Sequence, residues 1–150
     1  MFHLGQLHQY GKGVERDTKT SFRLYKKAAQ LGHAQAYSKC ADFFYSKGDS
    51  KVAFTSYQRA AELGDINALN NLGLLYEQGI NGSPEPEKAL KYYKKAHNSG
   101  SSDGTINIAI YYLNGRFIQA DTKIGKALLV KAYSNKNYRA KDLLMSFGLV

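Results

Sequence analysis

The sequence predicts an all-α fold, a right-handed α-solenoid of stacked antiparallel helix pairs, because two motifs recur with one period. The first motif occurs four times, and its alanines lie 32, 36 and 36 residues apart: "YKKAAQLG" from Tyr25, "YQRAAELG" from Tyr57, "YKKAHNSG" from Tyr93 and "LVKAYSNK" from Leu129. The second motif occurs five times: "LGQLH" from Leu4, "CADFF" from Cys40, "LGLLY" from Leu72, "IAIYY" from Ile108 and "LMSFG" from Leu144. A fixed period of this length indicates a repeat architecture.

Each repeat is predicted to contain two helices, and the third repeat shows the pattern most clearly. Its first helix places Ala68, Leu72, Leu75 and Tyr76 on one stripe at helical spacing. Glycines end this helix. The next helix is predicted to begin after Ser83, a candidate N-cap, with two prolines in its first turn. A single helix pair cannot bury its apolar stripe alone, so successive pairs must stack.

Small residues follow the large apolar residue of each first helix, at Gly5, Ala41, Gly73 and Ala109. We expect them to face the second helix of the same repeat, so that the two helices approach closely. The prediction is a single repeat domain over residues 1–150. Its units run over approximately 1–35, 36–67, 68–103 and 104–139, with a partial fifth unit at 140–150.

The repeats resemble those of the Sel-1-like repeat family, which is similar to the tetratricopeptide family. The family motif runs A-x-x-x-L-G-x-x-Y-x-x-G-x-G-V, then D-x-x-K-A, then Y-x-K-A-A-x-x-G. The third repeat matches it from Ala68 to Gly79 at every motif position, and "EKALKYYKKA" supplies the second helix. The second repeat lacks the G-x-G-V loop, and the fourth has Leu129 in place of tyrosine. The resemblance implies a tetratricopeptide-like superhelix that serves as an interaction scaffold.

Residue types that support catalysis or cofactor binding show no fitting arrangement. The four histidines are not at metal-ligand spacing with a cysteine or a carboxylate. The single cysteine, Cys40, stands at a motif leucine position and is interpreted as a buried inert thiol. The glycine clusters lack the preceding strand and the G-K-[ST] ending of a phosphate loop. We therefore predict no enzyme activity, no metal site and no cofactor, and interpret four aspartates as caps and turn residues: Asp17, Asp49, Asp65 and Asp121.

The net charge is +9, and the basic residues concentrate on the second helices, which form the convex face in this architecture. Tyrosines lie among them, an interleaving typical of nucleic-acid binding. The repeat motif itself requires tyrosine and lysine at these positions, so a solvated convex surface is the favoured interpretation. Binding of nucleic acid or of an anionic membrane surface by this basic convex face is the alternative function.

Solenoids of this kind bind partners in the concave groove that the first helices line. Counting from the motif leucine places several apolar residues and a tyrosine at groove positions, flanked by amides. Such a patch suggests a protein surface or an amphipathic helix as the ligand. In a deeper superhelix these residues would instead touch neighbouring units, and this alternative stays open. The predicted protein-binding residues are Ser38, Asp42, Tyr45, Asn70, Asn71, Leu74, Glu77, Ile106, Asn107, Ile110 and Leu113.

The predicted function is therefore a non-enzymatic adaptor or scaffold that binds a protein or peptide, with nucleic acid disfavoured as the partner. Lys39 is the one cation at these groove positions, too few for a clamp on a C-terminal carboxylate. No apolar run is long enough to span a bilayer. The absence of a secretory signal and of a cysteine pair favours the cytoplasm. The apolar ending "LLMSFGLV" is expected to be covered by a partner, by a missing unit or by self-association through an uncapped terminal repeat.

Overall fold

The computed structural model describes residues 1–115 and 117–150, and within these ranges the chain is all-helical, as predicted. Odd-numbered helices are the first helices of the repeats, and even-numbered helices are the second. The helices are α1 Phe2–Tyr10, α2 Thr18–Gln30, α3 Ala34–Ser46, α4 Ser50–Glu62, α5 Ile66–Gln78, α6 Pro86–Asn98, α7 Ser102–Asn114, α8 Thr122–Ser134 and α9 Arg139–Ser146.

The chain divides into two compact units, Met1–Ala68 and Leu69–Val150, and the boundary falls within α5. In the first unit α1 packs on α2, α2 on α3 and α3 on α4. In the second unit α6 packs on α7, α7 on α8 and α8 on α9. Packing between sequential neighbours is the contact pattern of a helical repeat. The single repeat domain over residues 1–150 stays a prediction.

Aspartate side chains cap the second helices at the predicted positions. Asp17 Oδ1 accepts hydrogen bonds from the backbone N–H groups of Lys19 and Thr20, at 2.9 and 3.0 Å. Asp49 caps α4 through the N–H of Val52 at 3.2 Å. Asp121 caps α8 through the N–H of Ile124 at 2.9 Å. Each cap satisfies a donor that the first helical turn leaves without a partner.

The start of α6 differs from the prediction that Ser83 caps it. The helix begins at Pro86, and Glu85 is its N-cap residue. Proline suits the first helical position because its missing N–H would have no helical partner there. The ring of Pro84 favours extended backbone at Ser83, which places that residue outside the helix.

The core is built mainly from alanines of both helices, and its larger members include leucines and the tyrosines of the second helices. In the first unit, Phe2, Tyr25 and Ala28 form one cluster with Ala36 and Cys40. Burial raises the pKa of the Cys40 thiol to about 11, so the thiolate is scarce at neutral pH, as the interpretation of an inert thiol requires. Two clusters of the second unit share the half-buried Leu128 as a flanking residue.

Left-handed backbone follows the end of each second helix. Glycine occupies this position after α2, α4 and α6, with φ of 83°, 93° and 92° at Gly32, Gly64 and Gly100. After α8 the same position holds Lys136, with φ of 63°. A side chain in this region costs about 1–2 kcal/mol because its Cβ approaches a carbonyl oxygen. The fourth repeat therefore carries local strain that the others avoid.

Lys136→Gly is expected to raise the free energy of unfolding by about 0.5–1 kcal/mol, because relief of the left-handed strain exceeds the extra entropy that glycine loses on folding. Urea unfolding followed by circular dichroism measures the change. Lys131→Gly, inside α8, is the matched control and should lower stability by about 1 kcal/mol. A Lys136→Gly protein no more stable than the parent would contradict strain at this residue.

Candidate partner-binding surface

A tyrosine of the second helix packs directly on a glycine of the first helix in two of the repeats. A Cβ atom added to Gly5 would lie 2.8 Å from Cε1 of Tyr25, and one added to Gly73 would lie 2.5 Å from Cε1 of Tyr93. Both distances are shorter than a van der Waals contact permits, so the ring occupies the space that a side chain would need. The small residues therefore face the second helix, as predicted.

The hydroxyl groups of these tyrosines reach acceptors on the first helix. Tyr25 Oη donates to Gln9 Oε1 at 2.6 Å, and Tyr93 Oη donates to Glu77 Oε2 at 2.8 Å. Glu77 also accepts at Oε1 from Tyr111 Oη, at 3.3 Å. Burial and the hydrogen bond to Glu77 raise the pKa of Tyr93, so its hydroxyl stays protonated. Gln9 and Glu77 both stand five residues after the motif leucine. The side chain at this position therefore accepts the hydrogen bond of the tyrosine hydroxyl as well as facing solvent.

In the second repeat the buried tyrosine hydroxyl has a different acceptor. It has Ala41 where the first and third repeats have glycine, and the Tyr57 hydroxyl donates to Asp42 Oδ1 at 2.6 Å. Asp42 Oδ2 is in turn 3.1 Å from Lys39 Nζ. Asp42 stands two residues after the motif position, not five. The residue five after the motif position is Tyr45 in this repeat, where the first and third repeats have Gln9 and Glu77.

The fourth repeat replaces the polar pair with an apolar one. Leu129 stands in place of the tyrosine and is fully buried, and Leu113 stands at the acceptor position. Leu113 packs against Gly125, where an added Cβ would lie 2.6 Å from Leu113 Cγ. Loss of the tyrosine hydroxyl thus coincides with loss of its acceptor. Three of the predicted binding residues, Asp42, Glu77 and Leu113, support the interior of their own repeat.

Gly73→Ala is expected to destabilise the protein by about 1–3 kcal/mol, because the new methyl group overlaps the Tyr93 ring. Gly73→Ala combined with Tyr93→Leu should recover part of this loss, since the fourth repeat already pairs Ala109 with Leu129. Urea unfolding of the two single variants and the double variant measures the coupling. Strictly additive changes would contradict the steric relation between the two positions.

The predicted binding residues differ widely in exposure. Tyr45 is exposed, and Leu74 is 38% exposed. The three asparagines and Ile110 are half-buried. Ile106 is 0% and Ser38 6% exposed, so the exposure expected of these two residues is wrong. Ile106 belongs to a core cluster with Ala109 and Leu129, because the position two before the motif leucine lies inside the packing there.

An amide pair lies on the first helices of the second unit. Asn107 Nδ2 donates to Asn70 Oδ1 at 2.8 Å, which joins α7 to α5. Both amides keep further hydrogen-bonding groups: the two Nδ2 hydrogens of Asn70, and the Oδ1 atom and second Nδ2 hydrogen of Asn107. Asn71 and the exposed Leu74 follow on the same α5 helix. This surface, defined by Asn70, Asn71, Leu74 and Asn107, combines polar groups that can pair with a backbone and one apolar side chain.

The basic residues predicted to face solvent on the second helices are exposed, including Lys26, Lys91 and Lys94. The tyrosines among them are occupied by packing. Tyr25, Tyr57 and Tyr93 are buried. Tyr92 stacks on Tyr76 with ring centroids 5.3 Å apart, and Lys95 Nζ lies 5.3 Å from the centroid of the Tyr92 ring. The aromatic residues between the lysines thus form intramolecular contacts instead of an open stacking platform.

Residues 1–115 and 117–150 contain neither a candidate metal site nor a candidate membrane-spanning helix. No group of three or more histidine, cysteine, aspartate or glutamate side chains in these ranges is placed to hold an ion. Among the same residues, every helix is too short or too polar to cross a bilayer. His97, which burial and Lys131 shift to a lower pKa, has its Nδ1 atom 2.8 Å from Thr105 Oγ1.

Comparison with known proteins identifies the same repeats. The Sel1 repeat profile matches residues 1–33, 34–65, 66–101 and 102–137. These matches begin two residues earlier than the predicted units, at 34, 66 and 102 instead of 36, 68 and 104. The helix pairs explain the offset, because α3, α5 and α7 begin at or next to the matched starts.

Solved structures agree with the fold. A Sel1 repeat protein from Oxalobacter formigenes is similar with a TM-score of 0.86 and 30% identity, over 99% of this chain and 64% of that chain. The protein c5321, a protective antigen of uropathogenic Escherichia coli with an SLR fold, gives a TM-score of 0.83 at 29% identity, over 95% of this chain and 32% of that one. The immunity protein Pa5087 from Pseudomonas aeruginosa gives 0.70 at 24% identity, over 93% and 53%. The predicted α-solenoid class is confirmed, and the chain spans only part of the length of these proteins.

Proposed function

The chain belongs to the Sel1 repeat family, whose members are generally protein–protein interaction modules, and we propose that it is a non-enzymatic adaptor that binds a protein through its first helices. Sel1 repeats typically form non-catalytic scaffolds. The observation that carries the proposal is the surface of Asn70, Asn71, Leu74 and Asn107. It places an exposed apolar side chain beside a pair of amides that retain hydrogen-bonding capacity.

The chemistry of this surface suits a polypeptide partner. A side-chain amide with one donor and one acceptor matches the N–H and C=O groups that an extended or helix-terminal backbone offers. Leu74 supplies the apolar contact, and an exposed leucine becomes favourable when a partner covers it. First helices line the concave face in solenoids, where such repeats bind their partners. Ile106 is fully buried in the core cluster with Ala109 and Leu129 and is left out of this surface.

Leu74→Glu is expected to reduce the affinity for a captured protein partner at least tenfold, because a desolvated carboxylate replaces the apolar contact. Leu63→Glu is the matched control, because Leu63 and Leu74 are both 38% exposed and Leu63 lies at the end of α4. Partners captured by the wild-type protein and identified by mass spectrometry are measured against both variants by calorimetry.

Equal loss with both variants, or retained affinity in Leu74→Glu, would contradict the assignment of this surface. Ile110→Glu is unsuitable as a test, because Ile110 is half-buried against the core cluster of the second unit. A charge there would unfold the protein and imitate a loss of binding. Thermal unfolding of Leu74→Glu verifies that the fold is kept.

The exposed lysines of the second helices favour a second candidate, binding of nucleic acid or of an anionic membrane surface. Lys91 and Lys94 lie exposed on α6, and Lys123 and Lys126 on α8. Counterion release makes such binding fall steeply with salt, roughly tenfold or more between 50 and 200 mM for a few phosphate contacts. Binding of a nucleic-acid or anionic-vesicle probe that falls in this way supports the basic face, whereas partner binding without measurable binding of either probe supports the adaptor.

A further inference from the structure

A cavity of about 250 Å³ opens in the first unit between α1, α2 and α3. Its apolar side includes Phe22 and Phe43, whose rings stack with centroids 4.0 Å apart. Its polar side includes Gln9, Lys39, Asp42 and Ser46. The volume corresponds to roughly eight water molecules at about 30 Å³ each, which is enough for one amino-acid side chain.

The hydrogen bonds already formed decide what the cavity still offers. Gln9 uses its carbonyl oxygen for the Tyr25 hydroxyl, so its Nε2 donors remain. Asp42 accepts from the Tyr57 hydroxyl at one oxygen and from Lys39 at the other, at 2.6 and 3.1 Å. Ser46 donates to the carbonyl of Phe43. The acceptors of the cavity are therefore largely engaged, while N–H donors remain.

Lys39 is the centre of this donor surplus. Its ammonium group has three hydrogens, and one hydrogen bond, to Asp42, is formed. Burial by itself lowers the pKa of Lys39, and the Asp42 carboxylate more than offsets this, so the pKa is raised and the charge is kept. Close by, Lys47 Nζ lies 5.8 Å from the centroid of the Phe43 ring. The Lys47 ammonium group is thus a second cation close to the Phe43 ring.

We propose that this cavity receives a glutamate side chain of the protein partner, an inference that rests on the proposed adaptor function. The carboxylate binds Lys39 and the Gln9 amide, and the methylene groups lie against Phe22 and Phe43. The net charge of +9 attracts an acidic partner from a distance. One half-buried lysine, Lys39, is enough to bind one side-chain carboxylate. A C-terminal carboxylate would need a clamp of several cations.

The test is an NMR titration of the ¹⁵N-labelled full chain with N-acetyl-glutamate N-methylamide. We expect saturable shifts at the amides of Gln9, Lys39, Phe43 and Ser46, with a dissociation constant on the order of 1 mM, as a ligand of this size allows. N-acetyl-glutamine N-methylamide has the same shape without the charge and should bind at least fivefold more weakly. Equal binding of the two probes, or no saturable shift with either, overturns the proposal.

Variants locate the interaction. Lys39→Gln should abolish the shifts, and Lys51→Gln, an exposed lysine on α4, should leave them unchanged. Ser46→Glu puts a competing carboxylate at an exposed position of the cavity and should weaken glutamate binding severalfold, with only a small loss of stability because the charge lies at the C-terminal end of α3. It keeps the test decisive if Lys39→Gln fails to fold. Unchanged glutamate binding in Ser46→Glu and in folded Lys39→Gln overturns the proposal.

The glutamate-site proposal and the adaptor proposal can fail independently of each other. Loss of partner binding in Leu74→Glu together with negative titrations of the cavity retains the adaptor and removes the glutamate site. Positive titrations together with partner binding that is insensitive to Leu74→Glu retain the glutamate site and remove the surface assigned on α5.

Discussion

Contact between the aromatic ring of a second helix and a residue without a long side chain on the first helix determines the rest of this structure. At Gly5 and Gly73 the ring fills the space of the missing side chain. This contact sets the distance between the two helices of a repeat. The alanines of the second helices, which are buried, can then meet the next helix. The fourth repeat has Leu129 in place of the ring, so the form of this contact explains where the repeats differ.

The ring contact also shapes the surface of the first helices. A buried tyrosine hydroxyl requires an acceptor, and Gln9, Asp42 and Glu77 supply it from positions that face outward. These side chains are consequently held in place, so a ligand that binds them would lose less conformational entropy. Where leucine replaces tyrosine, the acceptor position becomes apolar as well. The chemical character of the surface therefore changes from repeat to repeat with the residue beneath it.

Periodicity made the helices, the caps and the small-residue contacts predictable from the sequence, because each depends on local spacing. The aspartate caps follow from the residues that begin each second helix, and Gly73 follows from its place after Leu72. Burial of Ile106 was not predictable in this way, since it depends on how far α7 turns toward α8 and α9. The acceptor role of Asp42 was missed as well, because it depends on where the Tyr57 hydroxyl of α4 reaches α3. Comparison of the repeats with one another could have revealed the hydroxyl–acceptor pair. Tyr93 and Glu77 of the third repeat are both replaced by leucine in the fourth, at Leu129 and Leu113.

Cys40, the single cysteine, lies in the core cluster of the first unit with a strongly weakened acidity. Because burial raises the pKa of this thiol to about 11, the reactive thiolate is scarce at pH 7 while the unit is closed. Alkylating reagents therefore reach and modify this sulfur mainly when the first unit opens, and the modification rate reports the frequency of such openings. The alkylation rate of Cys40 thus measures how often the first unit, Met1–Ala68, unfolds locally.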